Sequence, residues 1–574
     1  MIKMFRHYRP FVGIILVTVA LIGIQSFAEL LLPALMQNII DVSIVNKDYR
    51  DVILRAAVML LVVIAEFAAV VGIGYFSAKI SAGISRDLRR KVFDKAEQFS
   101  LQEFDRFGTS SMITRTTNDI TQIQNFTVMF LRIVVMAPIM CIGGLVMAFA
   151  TDSALAVYVL MAMPLVVLAI AFVAKKGMPL FHSMQEKIDR LNRITRENLT
   201  GMRVVKAFLK TDYEIRRFDD ANEDLTRTTI RVQRIMGGLM PLLMLIMNVA
   251  AVAITWAGAG NIAEGTLEVG QLVAFTQYVM LIMMSLTMMS MIFVMLPRAV
   301  VSANRINEVL DTEPSVSDGE KPEVSADRKG YVEFRSVSFS YPNADEAVLK
   351  NISFTACPGQ TTAFIGSTGS GKSTIINLIP RLYDVTEGEI LVDGIDVRDY
   401  SQEELRDKIG FVPQKGVLFS GTIGENLRFG REDATEEELW HAAEIAQAAD
   451  FIRAKPEGME EHISQGGKNV SGGQKQRLAI ARALVKKPEI YIFDDSFSAL
   501  DFKTDAALRG ALKSETREST VFIVAQRVST ILDADRIVVL DDGQISGIGT
   551  HRELLEHCPV YREIVESQLS KEEM

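Results

Sequence analysis

Six long apolar segments, separated by polar stretches, occupy about the first 300 residues of the chain. They are Phe11–Met36, Val52–Phe76, Val128–Ala150, Ala154–Ala174, Leu239–Ala263 and Leu272–Leu296. Each holds about 20 or more mostly apolar residues, and at 1.5 Å of rise per residue this is long enough to cross a hydrocarbon core about 30 Å thick. Helices buried in a soluble core seldom run past about 14 apolar residues. We therefore predict an α-helical, six-span membrane domain over residues 1–310.

The connections between these segments differ in charge. The stretches 175–236 and 79–95 are dense in Lys and Arg, whereas Thr151–Ser153 and Glu264–Gly270 carry acidic residues and no Lys or Arg. Cytoplasmic loops of membrane proteins are enriched in Lys and Arg. We therefore expect both termini and the two long loops to lie in the cytoplasm.

The two long loops keep a helix-forming pattern. Ser77–Phe99 and Met184–Phe208 are charged and lack clusters of Gly and Pro. At 1.5 Å per residue they would extend their helices by roughly 30 Å beyond the bilayer. We predict rigid helical extensions that touch a soluble domain.

Two carboxylates lie inside the first two apolar segments. They are Glu29 and Glu66. Ionisable groups are costly in lipid, so they tend to face a cavity or a partner. Glu66 has no Lys or Arg within a helical turn, so a partner for it would come from another helix. One hypothesis places both in a substrate cavity. The alternatives, an interhelical hydrogen bond or a protonated bystander, stay open.

The second half of the chain has the pattern of an α/β domain. A polar stretch with two prolines, residues 311–329, predicts a linker, and the domain after it would cover residues 330–574. Tyr331–Phe339 alternates as a strand does. Ile365 ends an apolar strand, a glycine-rich loop follows, and Ser373–Ile379 begins a helix.

That loop fits the pattern G-x-x-x-x-G-K-[ST] of a phosphate-binding loop. Its residues are Gly366, Ser367, Thr368, Gly369, Ser370, Gly371, Lys372, Ser373 and Thr374. Backbone N–H groups at such a helix N-terminus cradle phosphates, the lysine reaches the β- and γ-phosphates, and the first hydroxyl ligates Mg²⁺. The loop therefore predicts binding of ATP with Mg²⁺.

The overall composition fits one apolar and one water-soluble part. The chain has 574 residues, more than one ordinary domain, and its mean hydropathy is positive although 23% of its residues are charged. A net charge of −9 offers no dominant basic face, so we expect no nucleic-acid partner. Three scattered cysteines form no C-x-x-C pair, which fits a reducing compartment and no cysteine metal site.

The motifs after the phosphate loop resemble, in order, those of the ATP-binding cassette (ABC) family, specifically exporters that fuse six membrane helices to one cassette. The resemblance covers nearly the whole chain. It implies adenine stacking by Tyr341, sensing of Mg²⁺ and the attacking water by Gln414, a Mg²⁺ carboxylate at Asp494, and a loop joining two cassettes over Ser498–Asp501. It also implies that the metal is held through Ser373, Gln414 and Asp494.

A further motif looks like the family signature. It comprises Ser471, Gly472, Gly473 and Gln474 and opens a predicted helix, Gln474–Val485. The positive N-terminal end of that helix suits the γ-phosphate of an ATP held by a second cassette.

Two residues depart from the family pattern, both where ATP is cleaved. Asp495 stands where the family usually carries Glu, so its carboxylate is retracted by about 1.5 Å, and misplacement on the order of 1 Å costs about a hundredfold in rate. Gln526 stands where the family usually carries His, and an amide cannot carry the charge or shuttle the proton of an imidazole. Lys372, Ser373 and Asp494 are intact. We therefore predict a site that binds ATP well and cleaves it slowly.

The complete signature implies a partner. A second half-transporter with Glu and His in place would form a competent ATP site against Ser471–Gln474, so the resemblance implies one half of a heterodimer with one slow and one active site, similar to asymmetric bacterial multidrug exporters. The alternatives are a homodimeric exporter with slow ATPase activity, a catalytically silent regulatory subunit, and an importer or ion-conducting member of the family.

The resemblance also sets the expected location and cargo. We expect a multi-pass protein of the bacterial cytoplasmic membrane, in contact with lipids, with its cassette in the cytoplasm. The expected substrate is a small amphipathic molecule such as a drug or a lipid.

Overall fold

The computed structural model describes residues 2–319, 329–342, 344 and 346–568. These residues form two compact units. One contains the chain up to Glu97 and the segment Ser110–Thr312, and the other contains Gln98–Thr109 and the chain from Glu313 onward.

The N-terminal half of the chain is helical. Its helices are α1 (Val12–Asn38), α2 (Tyr49–Glu97), α3 (Leu101–Phe107), α4 (Thr109–Thr114), α5 (Ile120–Met129), α6 (Val135–Thr151), α7 (Ser153–Thr200), α8 (Met202–Ala207), α9 (Thr211–Ala263) and α10 (Val269–Asp311). A 3₁₀ segment at Ile2–Phe11 and π-helical segments at Ile39–Ile44, Arg115–Asp119 and Phe130–Val134 continue several of them.

Six continuous helical stretches in the described residues are long and apolar enough to cross a membrane, which confirms the six predicted spans. They are Lys3–Ile44, Tyr49–Glu97, Thr109–Thr151, Ser153–Thr200, Thr211–Ala263 and Val269–Asp311. The predicted helical extensions are present, because α2 continues to Glu97 and α7 to Thr200. The second extension is interrupted at Gly201, after which the short α8 begins.

Acidic side chains fix two of the span ends. Asp152 separates α6 from α7 and accepts hydrogen bonds from the N–H groups of Ala154 (2.7 Å) and Leu155 (2.9 Å). Asp41 accepts one from the N–H of Gly270, in the first turn of α10. Carboxylates stabilise helix N-termini because they satisfy free N–H groups and complement the helix dipole. These contacts set where each span begins.

The second unit is built around three sheets. Its strands are β1 (Val332–Phe339), β2 (Leu349–Ala356), β3 (Thr361–Gly366), β4 (Glu387–Val392), β5 (Ile395–Asp396), β6 (Ile409–Val412), β7 (Gly421–Thr422), β8 (His462–Ile463), β9 (Ile490–Asp494), β10 (Thr520–Val524), β11 (Arg536–Asp541) and β12 (Gln544–Gly549). Its helices after residue 313 are α11 (Lys372–Leu378), α12 (Gln402–Asp407), α13 (Ile423–Arg428), α14 (Glu436–Ile445), α15 (Ala449–Arg453), α16 (Gly472–Lys486), α17 (Phe502–Glu515), α18 (His551–His557) and α19 (Pro559–Gln568).

The largest sheet has the strand order β12-β11-β3-β10-β9-β6 and is parallel except for β12. Successive side chains of a strand point to opposite faces. Along β10, Val521 and Ile523 therefore join one apolar core, whereas Phe522 and Val524 join the other. The second core is shared with the antiparallel sheet β2-β1-β4-β5. Because the central strands are parallel, their carboxyl ends lie along one edge.

Residues on either side of the predicted domain boundary also pack in this unit. Val316, at the start of the predicted linker, is buried, and the N–H of Gly319 donates to the carbonyl of Tyr400 at 3.0 Å. Residues 320–328 of the linker lie outside the described residues. The segment around α3 belongs here as well, since Glu103 accepts a hydrogen bond from the N–H of Ser315 at 3.2 Å.

One buried ion cluster lends itself to a stability measurement. Lys408 donates to Asp393 at 2.9 Å and to Glu489 at 2.8 Å, and the Asp393 side chain is only 1% exposed. Removing one partner of a buried pair leaves the other charge uncompensated.

We predict that Lys408→Met lowers the stability of this unit by about 3 kcal/mol. The measurement is the urea midpoint of its unfolding transition. Lys350→Met is the matched control, because Lys350 lies 3.7 Å from Asp542, which is 95% exposed. A surface pair contributes about 0–1 kcal/mol. Equal midpoints for the two variants would contradict the assignment of Asp393 as a charge that needs its partner.

Candidate active site

The glycine-rich loop connects the central strand β3 to helix α11. Gly369 and Gly371 have φ of 88° and 94°, values that side chains rarely adopt. A Cβ at Gly371 would lie 2.6 Å from Leu349, and one at Gly366 would lie 2.1 Å from the carbonyl oxygen of Leu540. These positions therefore require glycine. Because they carry no side chains, an anion can come close to the backbone of the loop.

Lys372 folds back over this loop. Its Nζ donates to the carbonyl oxygens of Gly366 (3.0 Å) and Ser367 (2.7 Å). Burial lowers the pKa of the lysine, and the charges of Asp495 and Asp494 oppose that shift. A half-buried ammonium group beside the N-terminus of a helix forms a site for a polyphosphate.

Two adjacent carboxylates end strand β9. Asp494 accepts a hydrogen bond from the Ser373 hydroxyl at 2.9 Å, which joins the strand to the phosphate loop. Burial raises the pKa of the Asp494 carboxyl, and the neighbouring Asp495 raises it further. Burial also raises the pKa of Asp495. Carboxylates in such surroundings favour a nearby cation.

Asp495 adopts a left-handed backbone conformation with φ of 46°, which is uncommon for a residue with a side chain. Its Oδ2 atom accepts hydrogen bonds from the amides of Gln414 (3.3 Å) and Gln526 (2.8 Å). The structure thus brings together the predicted cleavage residues, Asp495 and Gln526, with the predicted water-sensing Gln414.

A cavity of about 840 Å³ lies over the phosphate loop. Among its lining residues are Gly366–Gly369, Gly371–Thr374, Gln414 and Gln526. Ser370, the remaining loop residue, is buried.

The predicted adenine-stacking residue lies at the edge of this loop. The hydroxyl groups of Tyr341 and Thr374 are 3.1 Å apart. The Tyr341 ring makes edge contacts with Phe339 and Tyr383, with ring centroids at 4.9 and 5.4 Å. Tyr383 in turn donates its hydroxyl to Asp105 of α3 at 2.8 Å. Sequence reasoning missed the Tyr383–Asp105 contact because the two residues are far apart in the chain.

The signature residues form the N-terminus of a separate helix, α16. The hydroxyl of Ser471 accepts the N–H of Gln474 at 3.3 Å, and the side chain of Gln474 accepts the N–H of Ser471 at 2.9 Å. This reciprocal capping fixes the first turn. Ser471 and Gly472 are exposed, and neither they nor Gly473 and Gln474 are among the residues that line the 840 Å³ cavity. The chain's own signature therefore does not complete its own phosphate site.

The predicted cassette-joining loop follows Asp495. Ser498 donates its hydroxyl to the carbonyl oxygen of Asp495 at 3.0 Å. Asp501 caps the N-terminus of α17 and accepts hydrogen bonds from the N–H of Thr504 at 3.0 Å and from its hydroxyl at 2.7 Å, and these two hydrogen bonds lower the pKa of Asp501.

The cavity has a wall that sequence reasoning missed. Helix α19 lines it beside the phosphate loop with Glu563, Ser567 and Gln568. The sequence of α19 shows helical amphipathicity but no motif, so no local signal marks it as part of the site.

The two carboxylates of the membrane unit approach each other. Glu29 of α1 interacts with Glu66 of α2 and with the side chain of Gln25, one turn earlier on α1. Both glutamates are half-buried. The group from another helix that influences Glu66 is thus a second carboxylate.

Known families match both halves of the chain. The model of the ABC transporter transmembrane region matches residues 14–286, and the ABC transporter model matches residues 349–498. An uncharacterized ABC transporter ATP-binding protein of Mycobacterium tuberculosis is 41% identical over 567 residues, which are 98% of this chain and 97% of that protein. The chain belongs to the ABC transporter family.

Two further relatives refine this assignment. A solved bacterial Atm1-family ABC exporter with ATP bound superposes with a TM-score of 0.81 at 27% identity, over 98% of this chain and 99% of that one. A Mycobacterium bovis protein named fatty acid ABC transporter ATP-binding/permease protein is 35% identical over 474 residues, 83% of this chain and 75% of that protein. The chain is thus an ABC exporter half-transporter, a multi-pass membrane protein with a fused ATPase cassette.

The residues at the phosphate loop fit Mg²⁺ as the companion of ATP. A hydroxyl (Ser373), an amide oxygen (Gln414) and a carboxylate (Asp494) are hard oxygen ligands, and Mg²⁺ is commonly held by one or two such groups together with substrate phosphates. In the described residues no three His, Cys, Asp or Glu side chains form a metal cluster, and binding through phosphates does not require one. When bound, the ion would neutralise phosphate charge during transfer of the γ-phosphoryl group.

The raised pKa of Asp495 gives a pH-dependent prediction. A carboxyl whose pKa is raised in the folded state destabilises the protein once pH exceeds its ordinary value of about 4. We predict that Asp495→Asn raises the thermal midpoint of nucleotide-free transporter at pH 8, and that the gain shrinks towards pH 5.

Asp501→Asn supplies a control of opposite sign. The pKa of Asp501 is lowered, so its ionised form stabilises the fold at neutral pH, and Asn replaces Asp well as a helix N-cap. This variant should lose stability at pH 8. A loss for Asp495→Asn as well would show that hydrogen bonding, not burial of charge, dominates at Asp495.

Proposed function

We propose that the chain is one half of an ATP-driven exporter, that its own ATP site cleaves slowly, and that it supplies its signature to a faster site on a different half-transporter. The observation that carries this proposal is the state of Asp495, whose carboxylate oxygen accepts hydrogen bonds from two neutral amides, Gln414 and Gln526.

The chemistry of hydrolysis makes this arrangement slow. A general base must reach the proton of the attacking water, at about 2.6–3.2 Å. The side chain of Asp495 is one methylene shorter than Glu, so its carboxylate lies farther from the position of that water. Gln526 stays neutral at every pH, so it adds no positive charge beside the transferring phosphoryl group. Lys372 and Ser373, which serve the binding of ATP and Mg²⁺, both match the phosphate-loop pattern. We therefore expect this site to bind ATP although it cleaves ATP slowly.

The signature supports a contribution to another cassette. Ser471 and Gly472 are exposed at a capped helix N-terminus, a place that favours anions. ABC exporters act as dimers, and a partner carrying Glu and His would complete a competent site there. In a homodimer both sites would be slow. A purely regulatory role is disfavoured by the intact signature.

For the cargo we propose a small amphipathic molecule, such as a drug or a lipid. The name of the Mycobacterium bovis relative gives one example, a fatty acid. Glu29 of α1 and Glu66 of α2 interact electrostatically, and both are candidates for the lining of the substrate cavity. The distribution of Lys and Arg supports a protein of the bacterial plasma membrane whose cassette lies in the cytoplasm.

We predict that Asp495→Glu combined with Gln526→His raises ATP turnover at this site at least about tenfold, because it restores the reach of the base and a protonatable partner. The measurement is steady-state phosphate release by the assembled transporter.

The control adds Lys372→Ala to the same pair of substitutions. It removes a ligand of the phosphates and should abolish the gain. If the double variant is no faster than the parent, geometry elsewhere limits cleavage and the diagnosis of the two residues is wrong.

Asymmetry between the two ATP sites supplies the second test. We predict that Ser471→Arg lowers ATPase activity of the assembled transporter about a hundredfold, because the bulky side chain displaces the phosphate from the helix N-terminus of the active site. Lys372→Ala, which affects the slow site, should lower it by no more than about threefold.

Both variants must be purified with the partner chain. ATP binding by the Ser471→Arg protein should persist, since Lys372 is unchanged. Equal losses in the two variants, together with a purified dimer of a single chain, would refute the heterodimer and leave the homodimeric exporter with slow ATPase.

A further inference from the structure

The loop that carries Gln526 is held in place by a side chain of helix α19. The Nε2 of Gln568 donates to the carbonyl oxygen of Gln526 at 2.9 Å, and the Oε1 of Gln568 accepts the N–H of Val528 at 2.8 Å. A single amide side chain thus satisfies two backbone groups on either side of Arg527. A side chain that uses both its donor and its acceptor in this way fixes the position and the orientation of a loop.

Gln568 is itself positioned by a well-anchored helix. On α19, Tyr561 and Val565 are fully buried, in the same apolar core as Val528. The Tyr561 hydroxyl lies 2.8 Å from the Nδ1 of His551 on the preceding helix. Arg562 donates to the carbonyl oxygen of Leu555 at 2.9 Å. Rigid support of this kind is what a positioning group requires.

The held loop in turn aims Gln526 at the cleavage residue. The backbone of Gln526 is bonded to Gln568, while its side chain donates to Asp495 at 2.8 Å. Gln568 also lines the phosphate cavity together with Gln526. Without Gln568 the loop loses two hydrogen bonds, and an error on the order of 1 Å in a catalytic loop costs up to about a hundredfold in rate.

We propose that Gln568 is a positioning residue for ATP cleavage, acting through the backbone of Gln526 and Val528 on the contact between Gln526 and Asp495. The proposed action is on this loop and not on the reacting atoms. Its effect on rate therefore depends on the side chain at position 526. The proposal concerns the chain's own ATP site and holds for a homodimer or a heterodimer.

The first test measures the hydrogen bonds directly by hydrogen exchange of the peptide covering residues 525–531 in the full assembled transporter. Gln568→Ala should speed exchange at the Val528 amide by about fivefold, the equivalent of one lost hydrogen bond of about 1 kcal/mol. Gln568→Glu keeps the acceptor for Val528 and should leave this amide protected. Glu566→Ala, on an exposed neighbour in α19, is the control and should behave as the parent.

The second test asks whether this contact matters for cleavage. With Ser471→Arg present to silence the other site of a heterodimer, or without it if the protein is a homodimer, Gln568→Ala should lower kcat about three- to tenfold and change KM less than twofold. In a Gln526→Ala background the same substitution should change kcat less than twofold, because the group that it positions is gone.

Two outcomes would overturn the proposal. Unchanged exchange at Val528 in Gln568→Ala would show that the loop does not depend on this side chain. Equal loss of kcat with Gln526 present or absent would show a general structural role. Failure of the heterodimer proposal would appear instead in the composition of the purified transporter, so the two results are distinguishable.

Discussion

The Oδ2 atom of Asp495 is the point at which three loops of the cassette meet. Gln414 follows β6, Asp495 follows β9 and Gln526 follows β10, and these strands are neighbours in one parallel sheet. Because parallel strands place their carboxyl ends along the same edge, residues that are distant in sequence lie close together there. The phosphate loop after β3 lies at the same edge. The position of the site is thus a consequence of strand order.

This origin explains which parts of the site could be predicted from the sequence. The phosphate loop and the capped start of α16 are local, so their residue types and spacing carry the information directly. The contact between Gln526 and Asp495 joins residues 31 positions apart, and the contact between Gln568 and Gln526 joins residues 42 positions apart. No local pattern encodes such contacts. The first depends on the order of the strands and the second on how α19 packs on the sheet, and both are determined only in the assembled core.

The membrane half was predictable for a different reason. A bilayer imposes a minimum length and a minimum apolarity on each span, so six spans are legible in composition alone. The packing between spans cannot be predicted from composition, because lipid is as apolar as leucine and the hydrophobic effect does not select helix partners there. The approach of Glu29 to Glu66 therefore required the structure. The assignment of residues 98–109 to the cassette unit required it as well, since these residues lie far in sequence from the rest of that unit.

Asp495 and Gln526 are the two residues of the ATP site that depart from the family pattern. They pair better with each other than either would pair with the residue that the family usually carries at the other position. The carboxylate of Asp495 accepts a hydrogen bond at 2.8 Å from the Nε2 of Gln526, and the amide needs no added proton to donate it. An imidazole would donate or accept according to its protonation state. The amide cannot act as an acid or a base, but it donates this hydrogen bond in its single, neutral state. Two backbone bonds from Gln568 then reinforce the loop from the other side. Under the proposed function this stiffness favours a site that keeps ATP bound as a structural element, while cleavage occurs where the exposed signature meets a second cassette.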